Sequence, residues 1–271
     1  LSLVGSEMCI RDRIIGGNIA FTNNEIKSLG GYGQKTMEYS DGATVVSRVG
    51  GNPYEFYGLQ ANGVYSTQAE ADEANLVNSS SQVYQVGDVR FVDQNNDGRI
   101  DTKDRVSLGS ATPDFFGGFF TSFRYRHFTL SAEFAYSKGN KAYNAVRRTL
   151  ESASSFSNQS VAVSNRWNVE GQITDIPRAT YGDAIGNNNF SSRWIEDASY
   201  LRMKNITLSY NFDKSVWNFF RSGTIYLTGE NLLTATKYLG LDPEFAYSSN
   251  NNATQGFDYA KVMQPKSVKL G

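Results

Sequence analysis

Residues 93 to 104 read D-Q-N-N-D-G-R-I-D-T-K-D, and their spacing is that of a loop that could wrap a metal ion. In a twelve-residue calcium loop, oxygen ligands come from positions 1, 3, 5, 7, 9 and 12, and glycine at the sixth position allows the sharp turn. Those places hold Asp93, Asn95, Asp97, the carbonyl of Arg99, Asp101 and Asp104, with Gly98 sixth. Hard oxygen donors without His or Cys favour Ca2+ over zinc or copper. Position twelve is Asp where Glu is usual, a shorter arm that reaches less far. Ile100, the eighth residue, offers an apolar anchor to its surroundings. The same Asx-rich run can also close turns on its own backbone with no ion. No flanking helix pair is readable, so a calcium-sensing role has no bistable element to act on. The expectation is a fastener, with structural Ca2+ as the one cofactor.

Other chemistry finds little support. The chain has one His, His127, expected as a solvated turn residue, and one Cys, Cys9, so an intrachain disulfide framework is excluded. Ser and Cys nucleophiles lack a His partner in a workable place. Glu196 and Asp197 are adjacent, and neighbours on a strand point to opposite faces, so they are poor glycosidase acids. No catalytic residue is expected, and the chain does not read as an enzyme.

The elements that would position such a loop read as strands. Aromatics reach 13%, with 25 Gly against 5 Pro, a mixture that suits strands and turns. Net charge is −1 with pI near 6.0, which leaves no nucleic-acid footprint. Leu1 to Arg13 has neither a basic region nor a small-residue cleavage site and is a poor signal peptide. It resembles a translated sequencing-adapter tail and is set aside, leaving residues 14–271. Phe115 to Tyr136 alternates with period two on both sides of a short turn at Arg126–His127, which predicts a hairpin. One face carries Phe115, Phe119, Phe123 and Tyr125, then Phe128, Leu130, Phe134 and Tyr136. The other carries Arg124, Arg126 and Glu133, with Phe120 as an exception. A second hairpin runs from Ser199 through the turn at Asp213–Gly223 to Leu233, and its phase slips by one near Lys204, as at a bulge or where a strand leaves the membrane. A strand near Ile14 and a last one at Lys266–Gly271 make six. A short helix is expected at 68–75.

Connections alternate short and long, with long ones near 27–114, 138–197 and 233–264. Compact soluble domains rarely carry such loops. Outer-membrane barrels do, with short periplasmic turns and long extracellular loops. Trp217, Phe219, Phe220 and Phe128 beside the short turns fit an interfacial aromatic girdle. Alternation by itself leaves a soluble sandwich open.

Several stretches together resemble the SusC/RagA family of TonB-linked outer-membrane transporters. They are RVGGNPYEFYGLQANGVYSTQAEADE, VGDVRFVDQNNDGRIDTKDRVSLGSATPDFFGGF, SRWIEDASYLRMKNITLSYNF, IYLTGENLLT and YLGLDPEF, in that order. The resemblance implies an all-β fold: an antiparallel transmembrane β-barrel fragment, about six strands of a 22-stranded barrel, with long extracellular loops. It implies residence in the outer membrane of a Gram-negative bacterium, in contact with lipid, and import of a glycan or peptide substrate. It also implies a SusD-like surface lipoprotein as partner, and a TonB complex reached through an N-terminal region this sequence does not contain. Substrate contacts would then come from Arg124, Arg126 and Glu133 on the inner face and from Trp167, Tyr181, Trp194 and Tyr247 in the long loops. The alternatives are a secreted calcium-binding β-rich adhesion or carbohydrate-binding module and, third, a β-rich glycoside hydrolase.

Overall fold

The computed structural model describes residues 11–213, 221–245 and 252–271. Six strands form one antiparallel sheet: β1 (Arg11–Phe21), β2 (Phe115–Tyr125), β3 (Phe128–Lys138), β4 (Tyr200–Asp213), β5 (Ser222–Thr236) and β6 (Ser267–Leu270), paired in that order. Both expected hairpins are present. The first strand begins before the expected one, with Arg11, Asp12 and Arg13 in register with Tyr125, Arg124 and Phe123.

Register converts the alternation into rows. Phe123, Leu130, Leu208, Leu227 and Leu270 are cross-strand partners from β2 to β6. One residue along, Ser122, Ser131, Thr207, Thr228 and Lys269 form the next row. Adjacent rows point to opposite faces, so one face of the sheet is apolar and the other polar. The apolar row is bare: Phe123 is 46%, Leu208 45% and Leu227 48% exposed. The two hairpins lie side by side in one layer, and their apolar rows do not close on each other in a dry interior. Phe120 on the polar face sits over Gly16, where even a Cβ would come within 2.6 Å of its ring. Phe116 shares that face opposite Ser137, so the pattern has two exceptions where one was expected.

The slip at Lys204 is a bulge. Phe134 pairs with Met203 and Glu133 with Asn205, leaving Lys204 as the extra residue. One inserted residue keeps Leu201 and Met203 on the same face as Ile206 and Leu208. Aromatic rows mark both ends of the wall. Tyr125, Phe128 and Tyr210 are cross-strand partners beside the short turn, with Phe128 and Tyr210 rings 4.8 Å apart. Phe21, Phe115 and Tyr136 cluster at the opposite end. Ten strand residues separate the two rows, a rise of about 34 Å that projects to roughly 25 Å at barrel tilt, the height of a lipid-facing band. Trp217, Phe219 and Phe220 lie outside the described residues.

The long connections, 22–114, 139–199 and 237–266, all leave from the end opposite the Arg126–His127 turn, and their described residues are folded. Strands Gln34–Glu38, Thr44–Arg48, Glu55–Leu59 and Arg105–Gly109 form a sheet of their own. Helix α1 (Gln68–Ala74) falls where expected, capped by the Thr67 side chain and ended by Asn75 in the left-handed conformation. A second short helix, α2, spans Ala145–Leu150. Phe56, Tyr143, Phe190, Trp194 and Phe257 share one core, to which all three excursions contribute. Tyr65, Tyr84, Val89, Phe91, Ile100 and Ile185 share another. The fully buried Asp88 clamps the first two excursions: Arg178 grips both its oxygens at 2.8 and 3.1 Å, and Asn187 adds a bond at 3.0 Å. Together these excursions form a cap on the wall.

Candidate functional site

The 93–104 loop is closed by its own backbone. Asp93 accepts from the amides of Asn96 and Gly98, both at 2.8 Å. Asp97 accepts from the Arg99 amide at 3.0 Å, and Asp101 from that of Lys103 at 2.7 Å. Asp104 is fully buried and accepts from Gln94 at 2.9 Å and Asp101 at 2.8 Å. The Asn95 amide, with Lys103 beside it, holds the Asp97 carboxyl below the usual carboxylate range. Gly98 takes φ +73°, the left-handed region that its sixth place demands. Ile100 is the expected anchor, buried in the second core, and the short strand Arg99–Ile100 pairs in parallel with Val77–Asn78. Among the described residues, no three His, Cys, Asp or Glu side chains converge as a metal cage would require. These hydrogen bonds and the Ile100 anchor hold the loop's geometry.

The residues expected to touch substrate separate into two groups. Arg124 and Glu133 are exposed on the polar face, but Arg124 pairs in register with Thr129 and Glu133 with Phe120, four positions apart along the wall. Arg126 sits at the short turn with φ 53° and lies 5.5 Å over the Tyr125 ring, at the end away from the cap. Tyr181 is open to solvent and its ring lies 5.2 Å from the exposed Phe156. Trp167 is wedged against Gly87, where a Cβ would meet its ring at 2.5 Å, and it donates to the Ser66 carbonyl at 3.3 Å. Trp194 needs correction. It is 0% exposed in the first core, with the Arg193 guanidinium 4.3 Å above its ring, so no ligand reaches it. Tyr247 lies outside the described residues. Glu196 is spoken for by Arg147 at 2.7 Å and Leu239 at 2.8 Å, and Asp197 by Ser199, which leaves no acid–base pair. His127 is an exposed turn residue, as expected.

A cluster that sequence reading missed lies in the cap. Asp41 accepts through Oδ2 from the hydroxyls of Tyr143 and Tyr259, each at 2.9 Å. Arg148, on α2, donates to the Asp41 carbonyl at 2.7 Å, the Tyr143 hydroxyl at 2.9 Å and the Asn188 carbonyl at 2.9 Å. Burial pushes the Tyr143 hydroxyl up to about 12, so it stays a donor at neutral pH. These residues come from three excursions, and no spacing in the sequence joins them. A second network ties the last excursion to the polar face. Arg202 of β4, almost fully buried, binds Asp242 and, at 3.0 Å, Glu244, while Lys204 reaches Glu244 at 2.5 Å. Burial acts to raise the Asp242 carboxyl, but Arg202 and the amides of Gln264 and Glu244 outweigh it and hold the group below the carboxylate range.

No family model matches the chain. Curated relatives do. TonB-dependent receptor P26 of Formosa agariphila is 34% identical over 221 residues, 80% of this chain and 22% of that protein. TonB-dependent receptor P3 of the same organism is 32% identical over 234 residues, 84% of this chain and 22% of the relative. TonB-dependent receptor SusC of Bacteroides thetaiotaomicron is 27% identical over 236 residues, 84% of this chain and 21% of SusC. Among solved structures, the RagAB peptide transporter superposes with a TM-score of 0.70 at 22% identity, covering 93% of this chain and 25% of that one. The chain thus spans about a fifth of the length of the curated relatives it matches. This homology, to a family of non-catalytic transport proteins, sets the chain in the outer membrane of a Gram-negative bacterium. With the bare apolar wall and the long excursions at one end only, it makes this chain a homologue of part of the TonB-dependent receptors of the SusC and RagA kind.

Proposed function

We propose that the chain is one part of a closed, 22-stranded outer-membrane transporter that imports oligosaccharides or peptides with energy relayed through TonB and a SusD-like surface lipoprotein as its lid. Its own contribution is barrel wall plus a folded extracellular cap. The observation that carries this reading is the continuous apolar row from β2 to β6, left bare beside a cap that buries its own aromatics. Water would penalise such a face, whereas hydrocarbon accepts it, and the polar rows then line the bore. A secreted module would have to cover that face, and no described element does so. Arg124 and Glu133 on the bore side and Tyr181 on the cap remain the proposed substrate contacts among the expected set. Calcium at residues 93–104 is likewise a proposal, supported by the order of oxygen ligands. Calorimetric titration with Ca2+, using Asp93→Ala as control, tests it. For the transport reading, the test is uptake of peptides and oligosaccharides by cells carrying the full-length receptor, with and without TonB. Uptake that does not depend on TonB would refute it.

A further inference from the structure

At the cap end of the wall, the apolar face opens into a cleft of about 680 Å3 lined by Phe119, Tyr136, Leu201 and Ala235. The last three are cross-strand partners in one row. Tyr136 turns toward β1: its hydroxyl passes over Gly117, where a Cβ would come within 2.8 Å, and donates to the Asn18 carbonyl at 3.0 Å. Ala235, at the other end of the row, is small, so the row is low over Leu201 and Ala235. Phe119 stacks on Phe134 at 4.6 Å and stays 39% exposed. Two lysines stand above this row. Lys138 pairs in register with Phe115, which keeps it on the face of Tyr136 and one step nearer the cap. Lys237 follows two residues beyond Ala235 on the same side. Both line the cleft, and both are exposed.

Position selects the ligand. The cleft shares its face with the bare row from Phe123 to Leu270, so in the outer membrane acyl chains fill it. Packing on the wall gives one acyl chain little advantage over another, because hydrocarbon surrounds it either way. Discrimination therefore comes from the charges. Asp197 lies 4.0 Å from Lys138, but Ser199 already holds that carboxylate through its amide at 3.0 Å and through its hydroxyl. Lys237 joins no ion pair among the described residues. The two lysines stand two strands apart, about 10 Å, a gap that their side chains close on one phosphate. We propose that the cleft binds a phosphorylated lipid of the outer leaflet: an acyl chain lies over Leu201 and Ala235, and Lys138 and Lys237 clamp the phosphate at the level of the headgroups. The proposal rests on the wall facing lipid and is independent of what the receptor imports.

The test titrates the full-length receptor in detergent, by native mass spectrometry, with lipid A carrying its phosphates, the same lipid with its phosphates removed, and inorganic phosphate. The phosphorylated lipid should bind roughly tenfold more tightly than the dephosphorylated one. Lys138→Glu combined with Lys237→Glu should erase that preference, and the milder pair Lys138→Gln and Lys237→Gln should reduce it. Lys35→Glu, at an exposed place on the cap, should leave it unchanged. Leu201→Trp, which fills the cleft and keeps both charges, should weaken both lipids. Equal binding of the two lipids, or an unchanged preference in both lysine pairs, overturns the site. Inorganic phosphate that binds as tightly as the lipid and ignores Leu201→Trp overturns the lipid assignment in favour of a free anion. Equal costs of arginine at Ile206 and Thr207 for insertion into vesicles would instead remove the lipid-facing orientation beneath it.

Discussion

The wall and the cap are built from the same kinds of residue and treat them in opposite ways. In the wall, Phe123, Leu130, Leu208 and Leu227 stand exposed in a row across the paired strands. In the cap, Phe56, Phe257 and Trp194 are completely buried, with rings of Phe56 and Phe257 5.6 Å apart. Each solution suits one solvent. A strand in hydrocarbon satisfies its backbone through its neighbours and turns apolar groups outward. A loop in water must gather a core, or it would not offset the entropy of being ordered. The polarity of the chain therefore inverts where the strands emerge. Arg202, buried under Asp242 and Glu244, sits at that crossing, so the wall is most protein-like where the cap leans on it.

This contrast can be broken from either side. Trp194→Ala should cost the cap about 4 kcal/mol, as large buried aromatics do when a cavity replaces them. Hydrogen exchange should show the loss in residues 43–57 and 143–195, while β2 and β3 stay protected. Asp88→Ala should cost about 3 kcal/mol, since it strands Arg178 and Asn187 and unlocks the first excursion from the second. Unfolding of the cap in two steps where the native receptor shows one would report that uncoupling. In the wall, Ile206→Arg should destabilise insertion into vesicles by about 2–4 kcal/mol near the bilayer middle, whereas Thr207→Arg, one residue along, should cost far less. Equal costs would mean that the two faces do not meet different solvents.

At the crossing, Asp242 gives a pH signature. Its carboxyl is held below the ordinary range when folded, so it stabilises at neutral pH, and that contribution fades as pH falls below about 4 through the folded value. Asp242→Asn should lower the melting temperature at pH 7 and converge with the unmodified receptor at low pH. The smallest effect should come from Asp93→Ala, about 1–2 kcal/mol for two backbone amides left without their acceptor.

Local pattern alone was enough to locate the wall. Period-two alternation from Phe115 to Tyr136 specified both strands and the turn between them, because a slip of one residue would exchange every lipid-facing group for a polar one. The phase slip at Lys204 was equally readable, since a bulge leaves its trace in the spacing of apolar residues. So was the fastening role of residues 93–104, whose Asp, Asn and Gly act on amides within the same loop. The cap was another matter. Trp194 reads as a loop aromatic, and only the fold turns it into core, because its partners Phe56 and Phe257 are far away in sequence. The clasp of Asp41, Tyr143, Arg148 and Tyr259 has no sequence signal at all. Those residues meet because three excursions leave the same end of one sheet, and packing between distant segments is decided in three dimensions.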